Sequence, residues 1–282
     1  MMKKNSEIAN ASTSITFGLR FVHLTEQQVA KLVVDTIRSK QDGVGLIITP
    51  NIQHISLLEK NFDLVNACQK AEILSYDGFP LVYYAKLRGA KILIRTTGRG
   101  IVEKILEKPE KLHHHKIFMI LDSKTTLDAA KAWSNRNNLN DNIAYIVPPY
   151  GFENDDIYTA KLLSDIREFK TTILFMGIGA PKSEIFVNTN RCALPPCWAL
   201  CIGQALLVAF GCRPTPPRFI QTLNLEWLWR IQQEPKRLFP RYIKSAFLFL
   251  KAVARDIFCD VPPFLYPLKR RVPVFYGLGL MG

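Results

Sequence analysis

The start of the chain has the pattern of an amphipathic helix followed by a buried strand. Thr25 and Gln28 have the spacing of a capping box, in which each side chain hydrogen-bonds the backbone of the other residue. The apolar positions that follow share one helical face: Val29, Leu32, Val33 and Ile37. We therefore predict a helix here, then a strand over residues 44–48, then a second helix whose apolar stripe contains Ile55, Leu58, Phe62 and Val65.

The same alternation of short apolar runs and helical spacing continues along the chain. Runs typical of buried strands occur at residues 72–75, 116–121, 143–147 and 172–176, with helical spacing at 125–137 and 155–169. This order predicts an α/β fold, with a largely parallel sheet covered by helices on both faces in Rossmann-like halves. Ligands of such sheets bind beyond the carboxyl ends of the strands. The loops of interest are therefore 49–51, 76–78, 148–152, 177–184 and the one after residue 121.

One uncharged stretch, residues 192–212, has the length of a membrane span. A spanning helix needs about 20 predominantly apolar residues. Prolines and glycines divide this stretch into two pieces of strand length, residues 198–202 and 205–210. We predict buried strands and helix of a protein core here.

Composition and charge narrow the partners of the chain. Its 282 residues suffice for one large or two modest domains, and 48% hydrophobic with 22% charged residues excludes a disordered chain. The formal charge of +13 favours an anionic partner, which is a nucleic acid, a phosphate-bearing ligand or an anionic membrane leaflet. From residue 213 onward, 12 Lys and Arg stand against 4 Asp and Glu, so we expect the anionic partner there.

Several features predict a cytosolic protein without disulfides or export. The six cysteines lack paired C-x-x-C spacing, and the N-terminal residues supply no apolar stretch for a signal peptide. Charge is the only argument for nucleic acid, and no nucleic-acid-binding module is recognisable, so we predict no such partner. The adjacent histidines 113–115 precede a strand in a polar connection, and we interpret them as a solvated loop with no metal role.

Asp77 is the candidate for acid-base chemistry. It follows a predicted strand and precedes Gly78, so its carboxylate projects at the carboxyl end of that strand. Inverting transfer of a sugar to a hydroxyl needs a carboxylate that takes the acceptor proton while a diphosphate departs. An isolated Asp-Gly more commonly just forms a turn. Thr49 and Asn51 offer groups that bind sugar hydroxyls, although the same residues are typical of an ordinary helix cap.

Two loops have the composition of a phosphate site. Arg95 precedes TTGRG at 96–100, which combines a guanidinium with exposed backbone amides. The alternative is a plain basic loop on a basic protein. GIGAPKSE at 177–184 follows a strand and opens a helix, whose N-terminus suits an anion. Lys182 breaks the G-x-G-x-x-G dinucleotide pattern, which argues against a Rossmann oxidoreductase.

The segment after residue 213 is basic, aromatic and helical, a mixture that suits a diphosphate or lipid headgroups. From Tyr242 to Phe258, one side of a predicted helix is apolar and the other is basic. The apolar side contains Ile243, Ala246, Phe247, Leu250, Val253 and Ile257, and the basic side contains Arg241, Lys244, Lys251 and Arg255. Such a helix lies in a membrane interface or packs on a domain, and both interpretations stay open.

Taken in order, these motifs resemble those of the WecG/TagA/CpsF glycosyltransferases over residues 20–255. The core motifs of the family are matched by Thr49 and Asn51, by Asp77 and Gly78, by Arg95, Thr97 and Gly98, and by Gly177, Gly179, Pro181, Lys182 and Glu184. The strongest match is C-terminal and consists of Arg213, Pro214, Glu226, Trp227, Arg230, Glu234, Pro235, Arg237, Arg241 and Tyr242.

The resemblance implies a metal-independent, inverting glycosyltransferase of cell-envelope polysaccharide assembly that needs no cofactor. It implies Asp77 as base, a UDP-sugar donor and a polyprenyl-diphosphate-linked acceptor, with the diphosphate held by Arg95 and the C-terminal arginines. It also implies that the C-terminal appendage closes over the site and touches an anionic membrane surface. We therefore expect a cytoplasmic protein at the inner face of the cell membrane, and leave a homo-oligomer open.

The chain departs from the family pattern at four places. Ser183 replaces a usual Gln, Leu207 a usual Asp, Gly100-Ile101 a usual Asp-Leu, and Pro80 a usual Gly. Ser183 and Leu207 motivate, as the alternative, a catalytically weakened relative that binds nucleotide sugar or glycolipid as a regulatory module. For the domains we predict an N-terminal extension (1–20), an α/β core (21–212), a basic helical appendage (213–258) and a tail (259–282).

Overall fold

The centre of the molecule is a parallel β-sheet. The computed structural model describes residues 6–91, 93–217, 220 and 225–258. The strands are β1 (Thr13–Thr16), β2 (Leu19–Val22), β3 (Gly45–Ile48), β4 (Ile73–Leu74), β5 (Ile117–Ile120), β6 (Ile143–Ile146), β7 (Ile173–Met176) and β8 (Trp198–Cys201). Six of them form one sheet in the order β4-β3-β8-β7-β5-β6, and every neighbouring pair is parallel. The remaining two form an antiparallel hairpin.

Helices connect and cover the strands. They are α1 (Ser6–Ala9), α2 (Glu26–Asp35), α3 (Ile52–Leu58), α4 (Phe62–Gln69), α5 (Phe79–Leu87), α6 (Gly98–Leu106), α7 (Lys124–Arg136), α8 (Asp156–Glu168), α9 (Lys182–Thr189), α10 (Ala205–Ala209), α11 (Glu226–Gln233) and α12 (Pro235–Phe258). Short 3₁₀ segments occupy Pro109–His114, Asn140–Asn142 and Phe152–Asn154. The predicted α/β class, with a parallel sheet and a helical C-terminal appendage, is confirmed.

Both faces of the sheet are buried, which explains why its strands are continuously apolar. In β7, Ile173 and Phe175 belong to one hydrophobic cluster, whereas Leu174 and Met176 belong to the other. Successive side chains of a strand point to opposite faces, so an apolar run fills two cores at once. A parallel sheet between two helical layers is the arrangement that needs such strands.

The β1–β2 hairpin is fastened to the edge of the sheet beside β4. The Tyr76 hydroxyl lies 2.8 Å from the Ser14 hydroxyl and 2.7 Å from the Thr16 hydroxyl, and its ring stacks on Phe21. The hairpin crosses residue 20, where the N-terminal extension was predicted to end. The domain division itself stays a prediction.

Two details of the predicted helices are wrong, and local backbone chemistry explains both. The capping box of Thr25 and Gln28 starts α2 as predicted, but α2 ends at Asp35 and leaves Ile37 58% exposed. The second predicted helix is divided into α3 and α4, because the Asn61 side chain accepts a hydrogen bond from Leu64 N and starts a new helix. Phe62 consequently turns outward and is 53% exposed.

The uncharged stretch 192–212 forms part of the core. It contains strand β8 and the short helix α10, separated by Gly203. Among the described residues, no helix has the length and apolar character required to cross a bilayer. The histidine prediction is partly wrong, because His115 is buried and its ring nitrogens lie 3.0 Å from Thr172 Oγ1 and 3.0 Å from the Val34 carbonyl oxygen.

The appendage helix α12 packs against the core with a face that the sequence pattern did not single out. Its buried residues are Leu238, Ser245, Phe249, Ala252 and Asp256. Ion pairs from Arg255 and Lys251 to Glu59 hold it next to α3, and Asp256 accepts a hydrogen bond from Tyr84 of α5. The large members of the predicted apolar stripe, among them Ile243, Phe247, Leu250 and Ile257, face outward instead.

Candidate active site

Asp77 and Arg95 lie side by side because of the way the edge of the sheet is built. Beyond β4, Tyr76 forms a parallel bridge with Arg95, and Thr96 N donates to the Tyr76 carbonyl over 2.8 Å. The next residue is Asp77, whose amide donates to the Pro50 carbonyl over 3.0 Å. Arg95 Nε donates to the Asp77 carbonyl over 2.9 Å. The backbone therefore fixes the guanidinium next to the residue that carries the candidate base.

The environment of the Asp77 carboxyl suits a base that works near neutral pH. Burial raises its pKa to about 6, against the opposing effect of the cationic Arg95 and Arg230 and of His54. The negative charge of Glu226 raises the pKa further. Within the described part of the chain, no side chain hydrogen-bonds this carboxylate, so its oxygens are available to a ligand. A carboxyl with this pKa is largely ionised at pH 7 and is a stronger base than an exposed aspartate.

The residues predicted to bind sugar lie around Asp77. A side chain placed on Gly78 would contact Asn51, and one placed on Gly98 would contact the Thr49 hydroxyl at 3.1 Å. The structure therefore brings Thr49, Asn51, Gly78 and Gly98 to one place at the carboxyl ends of β3 and β4. Asn51 Oδ1 accepts from Gln53 N over 2.9 Å and caps α3, as the alternative interpretation of this motif held.

The loop that contains Thr97 binds the carboxylate of Glu26, which belongs to α2. Glu26 Oε1 accepts hydrogen bonds from Thr97 N at 2.9 Å and from Thr97 Oγ1 at 2.6 Å. A Cβ on Gly100 would collide with the Glu26 carboxyl group. Where the family usually has Asp, this chain therefore has glycine and a carboxylate delivered from α2. The Thr97 amide already donates to Glu26, and the cations of this loop are Arg95 and Arg99.

The glycine loop 177–184 reaches the residues around Asn51 through Glu184, whereas its Lys182 pairs with Glu153. Glu184 is buried, and its Oε1 lies 3.2 Å from His54 Nε2. His54 Nδ1 in turn lies 3.2 Å from Asn51 Oδ1. Lys182 forms an ion pair with Glu153, and its Nζ lies 4.6 Å from the centre of the exposed Tyr150 ring.

The remaining residues of this loop have structural surroundings. A Cβ on Gly177 would lie 2.8 Å from the Ile120 carbonyl oxygen, so only glycine fits against β5 there. Gly179 has open space around it, and Pro181, after a cis peptide bond, precedes α9. Ser183, at the departure from the usual Gln, is buried and donates to the Ile178 carbonyl over 2.7 Å.

The appendage reaches the site through the first turn of α11. Glu226 Oε1 lies 3.1 Å from Arg95 Nη2, and Glu226 Oε2 lies 3.7 Å from Arg99 Nη2. One turn later, the charge of Arg230 lowers the pKa of Asp77. Cations from the core and from the appendage therefore surround the carboxylate.

The other predicted appendage residues have surroundings of their own. Arg213 pairs with Glu234 and donates to Gln204 Oε1 over 3.2 Å, which joins α11 to the loop before α10. Trp227 is about half exposed, and Arg241 is exposed on α12. The backbone of Arg237 belongs to α12, whereas its side chain lies outside the described residues.

Sequence reasoning missed three residues that shape this site, namely Glu26, His54 and Arg99, and it did not predict the contact of Glu184 with His54. Arg99 belongs to the TTGRG motif at 96–100, and this motif was the local sequence signal for its place in the site. Glu26 and His54 reach the site through pairings between distant parts of the chain. Leu207, which replaces a usual Asp of the family, is buried and offers no polar group to a ligand.

A cavity of about 430 Å³ lies at the opposite end of the strands from Asp77, near the amino ends of β3 and β4. Its lining includes Arg38, Asp42 and Glu72. Arg38 is committed to structure there, because it pairs with Glu72 and stacks on Trp198. Ligands of parallel sheets bind at the carboxyl ends, so we place the active site around Asp77.

Comparison with known proteins gives a consistent result. A family model described as "Glycosyl transferase WecG/TagA/CpsF family" matches residues 15–260. Two relatives, from Staphylococcus aureus strains MW2 and NCTC 8325 / PS 47, are both named N-acetylglucosaminyldiphosphoundecaprenol N-acetyl-beta-D-mannosaminyltransferase. Each is 21% identical to the chain over 249 residues, which are 88% of this chain and 95% of the relative.

Proposed function

Because the chain belongs to the WecG/TagA/CpsF family of glycosyltransferases, we propose that it transfers an N-acetylhexosaminyl group from a UDP-sugar to a polyprenyl-diphosphate-linked sugar. The names of the relatives support the acceptor class, since both act on a sugar diphosphoundecaprenol. The observation that carries the proposal is the ionisable Asp77 carboxyl, half-buried among arginines at the carboxyl ends of β3 and β4.

In the proposed reaction, Asp77 activates the acceptor. The acceptor hydroxyl oxygen attacks the anomeric carbon of the donor sugar and passes its proton to the Asp77 carboxylate. The bond between the anomeric carbon and the diphosphate oxygen breaks at the same time, and UDP leaves with the electron pair. The pKa of about 6 matches this task, because the base is ionised before the reaction yet accepts a proton readily during it.

The departing diphosphate gains negative charge, and the neighbouring guanidinium groups oppose that charge. Arg95 is fixed by its hydrogen bond to the Asp77 carbonyl, so it needs little reorganisation when the charge develops. Arg230 adds a second cation from the appendage. This arrangement supports a mechanism in which the appendage completes the site that the α/β core begins.

The outward face of α12 supports peripheral association with an anionic membrane surface, where a prenyl-linked acceptor resides. Phe247 is 68% exposed and Leu250 is 64% exposed on this face. Lys244 is also exposed on the same helix, and Lys251 is exposed in part although it pairs with Glu59. Large apolar side chains flanked by lysines bind at the boundary between headgroups and acyl chains.

A charge on the outward face of α12 should release the protein from membranes. We expect Phe247→Glu to lower binding to vesicles of phosphatidylglycerol and phosphatidylethanolamine by about tenfold or more, because one large apolar contact is lost. Co-sedimentation measures the binding. Ile157→Glu is the matched control, since Ile157 is 85% exposed on α8. Equal losses for both variants would contradict an α12 interface. Deleting the helix is a poorer test, because Leu238 and Phe249 belong to the buried core.

The proposed activity is tested with purified protein, a panel of UDP-sugars and a synthetic N-acetylglucosaminyl-diphosphoprenol. Mass spectrometry should detect a lipid-linked disaccharide, with one UDP released for each product molecule. The buried Ser183 and Leu207 motivate the regulatory alternative, because neither presents a polar group to a donor. That alternative predicts thermal stabilisation by UDP-sugar without any disaccharide.

A further inference from the structure

Arg95, which lies beside Asp77, and Arg99 share one carboxylate from the appendage. The two Glu226 oxygens face different guanidinium groups, at 3.1 Å from Arg95 and 3.7 Å from Arg99. These side chains are mostly shielded from water, with 29%, 14% and 17% of the Arg95, Arg99 and Glu226 side-chain surfaces exposed. Glu226 therefore bridges two cations in a setting where such contacts are stronger than on an open surface.

The chemistry of this bridge resembles that of a bound phosphoryl group. A carboxylate and a phosphoryl group both present a pair of anionic oxygens, and guanidinium groups bind either one through parallel N–H donors. The position is also where the reaction needs an anion to be held, directly beside the base. At the α6 N-terminus the Thr97 amide already donates to Glu26, whereas the two arginines offer cationic N–H donors that suit a phosphoryl group.

We propose that Arg95 and Arg99 form the diphosphate-binding clamp of the active site, and that Glu226 occupies this clamp until a substrate diphosphate displaces it. This inference rests on the proposed function and adds two things to it. Arg99 becomes a binding residue, and Glu226 becomes an internal competitor that couples substrate binding to the position of α11.

The electrostatics around Asp77 agree with an anion site at this place. The groups that act on the Asp77 carboxyl besides its burial are Arg95, Arg230, His54 and Glu226, and Glu226 is the one that opposes ionisation. An anion in the clamp thus makes Asp77 a stronger base. A diphosphate seated there has the same effect at the moment when the acceptor proton must be removed.

The rival explanation is that Glu226 merely orients the two arginines for some other contact. The two explanations predict opposite changes when the Glu226 charge is removed. An internal competitor hinders an external anion, so its removal tightens binding. An orienting residue helps that anion, so its removal weakens binding.

The test is equilibrium binding of inorganic pyrophosphate to the full chain and to its Glu226→Gln variant, by calorimetry. We expect roughly tenfold tighter binding in the variant, since a charge-assisted contact no longer competes. Arg99→Ala should weaken pyrophosphate binding by a similar factor. Unchanged or weaker binding in a folded Glu226→Gln protein overturns the proposal. Binding is read without turnover, so an absence of sugar transfer would count against the proposed function and leave this result independent.

Two further variants keep the test sharp. Glu103→Gln is the matched control, because Glu103 also pairs with Arg99, at 3.7 Å from its Nε, but from within α6. Its pyrophosphate affinity should stay within about twofold of the parent. Glu226→Asp retracts the carboxylate by one methylene and replaces Glu226→Gln if that variant fails to fold. It should tighten binding to a smaller extent, and no tightening would again overturn the proposal.

Repeating the titration with UDP and with farnesyl diphosphate shows whether the clamp binds the diphosphate of the donor or that of the acceptor. A gain for UDP in the Glu226→Gln variant assigns the clamp to the donor. A gain for farnesyl diphosphate assigns it to the lipid-linked acceptor. If neither ligand gains affinity, the clamp does not serve a substrate diphosphate and the inference is wrong.

Discussion

Asp77→Asn lowers kcat by about 10²- to 10⁴-fold in our account, because the amide cannot accept the proton of the acceptor hydroxyl. The fold should survive the change. Burial already disfavours the charged form of this carboxyl, as its pKa of about 6 records, and asparagine has the same shape without the charge. The measurement is disaccharide formation at saturating substrates, with circular dichroism and thermal unfolding as checks of structure.

The control for this variant is Asp128→Asn on α7, where the aspartate is exposed. It removes the same charge from the protein and should leave kcat unchanged. A folded Asp77→Asn protein that transfers sugar at the parental rate would remove Asp77 from the mechanism. A shared loss in both variants would point to net charge as the cause.

Arg95→Ala should lower kcat/KM by about 10²- to 10³-fold, the usual consequence of removing one preorganised donor from a developing negative charge. Arg95 contacts the Asp77 carbonyl and Glu226, so alanine removes both a cation and a side chain that supports the loop. Arg95→Lys separates these effects. Lysine keeps the charge but lacks the planar fork, so we expect it to recover only part of the activity.

Arg136→Ala is the matched control, because Arg136 is an exposed arginine at the end of α7. Its kcat/KM should equal that of the parent. If Arg95→Ala and the control retain the same kcat/KM, Arg95 does not stabilise the leaving group. The resulting kinetic constants also show whether binding or chemistry is affected, because a change in KM alone would mean that Arg95 binds ground state and transition state equally.

The fold was largely predictable because its signals are local. The capping box at Thr25 and the apolar runs of the strands depend on neighbours within a few residues, and both occur where the sequence indicated. Errors arose where a competing local interaction decided the outcome. The Asn61 cap interrupted a periodic stripe that otherwise read as one helix, and the outward turn of Phe62 followed from it.

The candidate site was predictable only in the part that the α/β core contributes. The rule that ligands bind at the carboxyl ends of parallel strands selected the loops of Thr49 and Asp77, which lie close together in the structure. Arg95 was selected by the composition of its loop and not by this rule. Contacts that complete the site link residues far apart in sequence. Arg95 and Glu226 are 131 residues apart, and His54 and Glu184 are 130 residues apart. No periodicity or spacing encodes such pairs, which depend on how the appendage and the sheet meet.

The sequence pattern of the C-terminal helix α12 also did not determine which of its faces packs on the core. Its amphipathic pattern fitted both membrane contact and packing, and spacing alone does not say which face meets the core. Packing uses Phe249 and Ala252, between the positions of the predicted stripe, together with the buried Asp256 that pairs with Tyr84. The face with Phe247 and Leu250 is thereby left outside.

The most direct test of the central claim is the pH dependence of kcat/KM for sugar transfer, which reports the ionisation of the free enzyme. The base must be ionised to act, so the account predicts that kcat/KM falls as pH drops through an apparent pKa of about 6, the value that burial gives Asp77. A profile that stays flat between about pH 5 and pH 8 would contradict the assignment of Asp77 as the base.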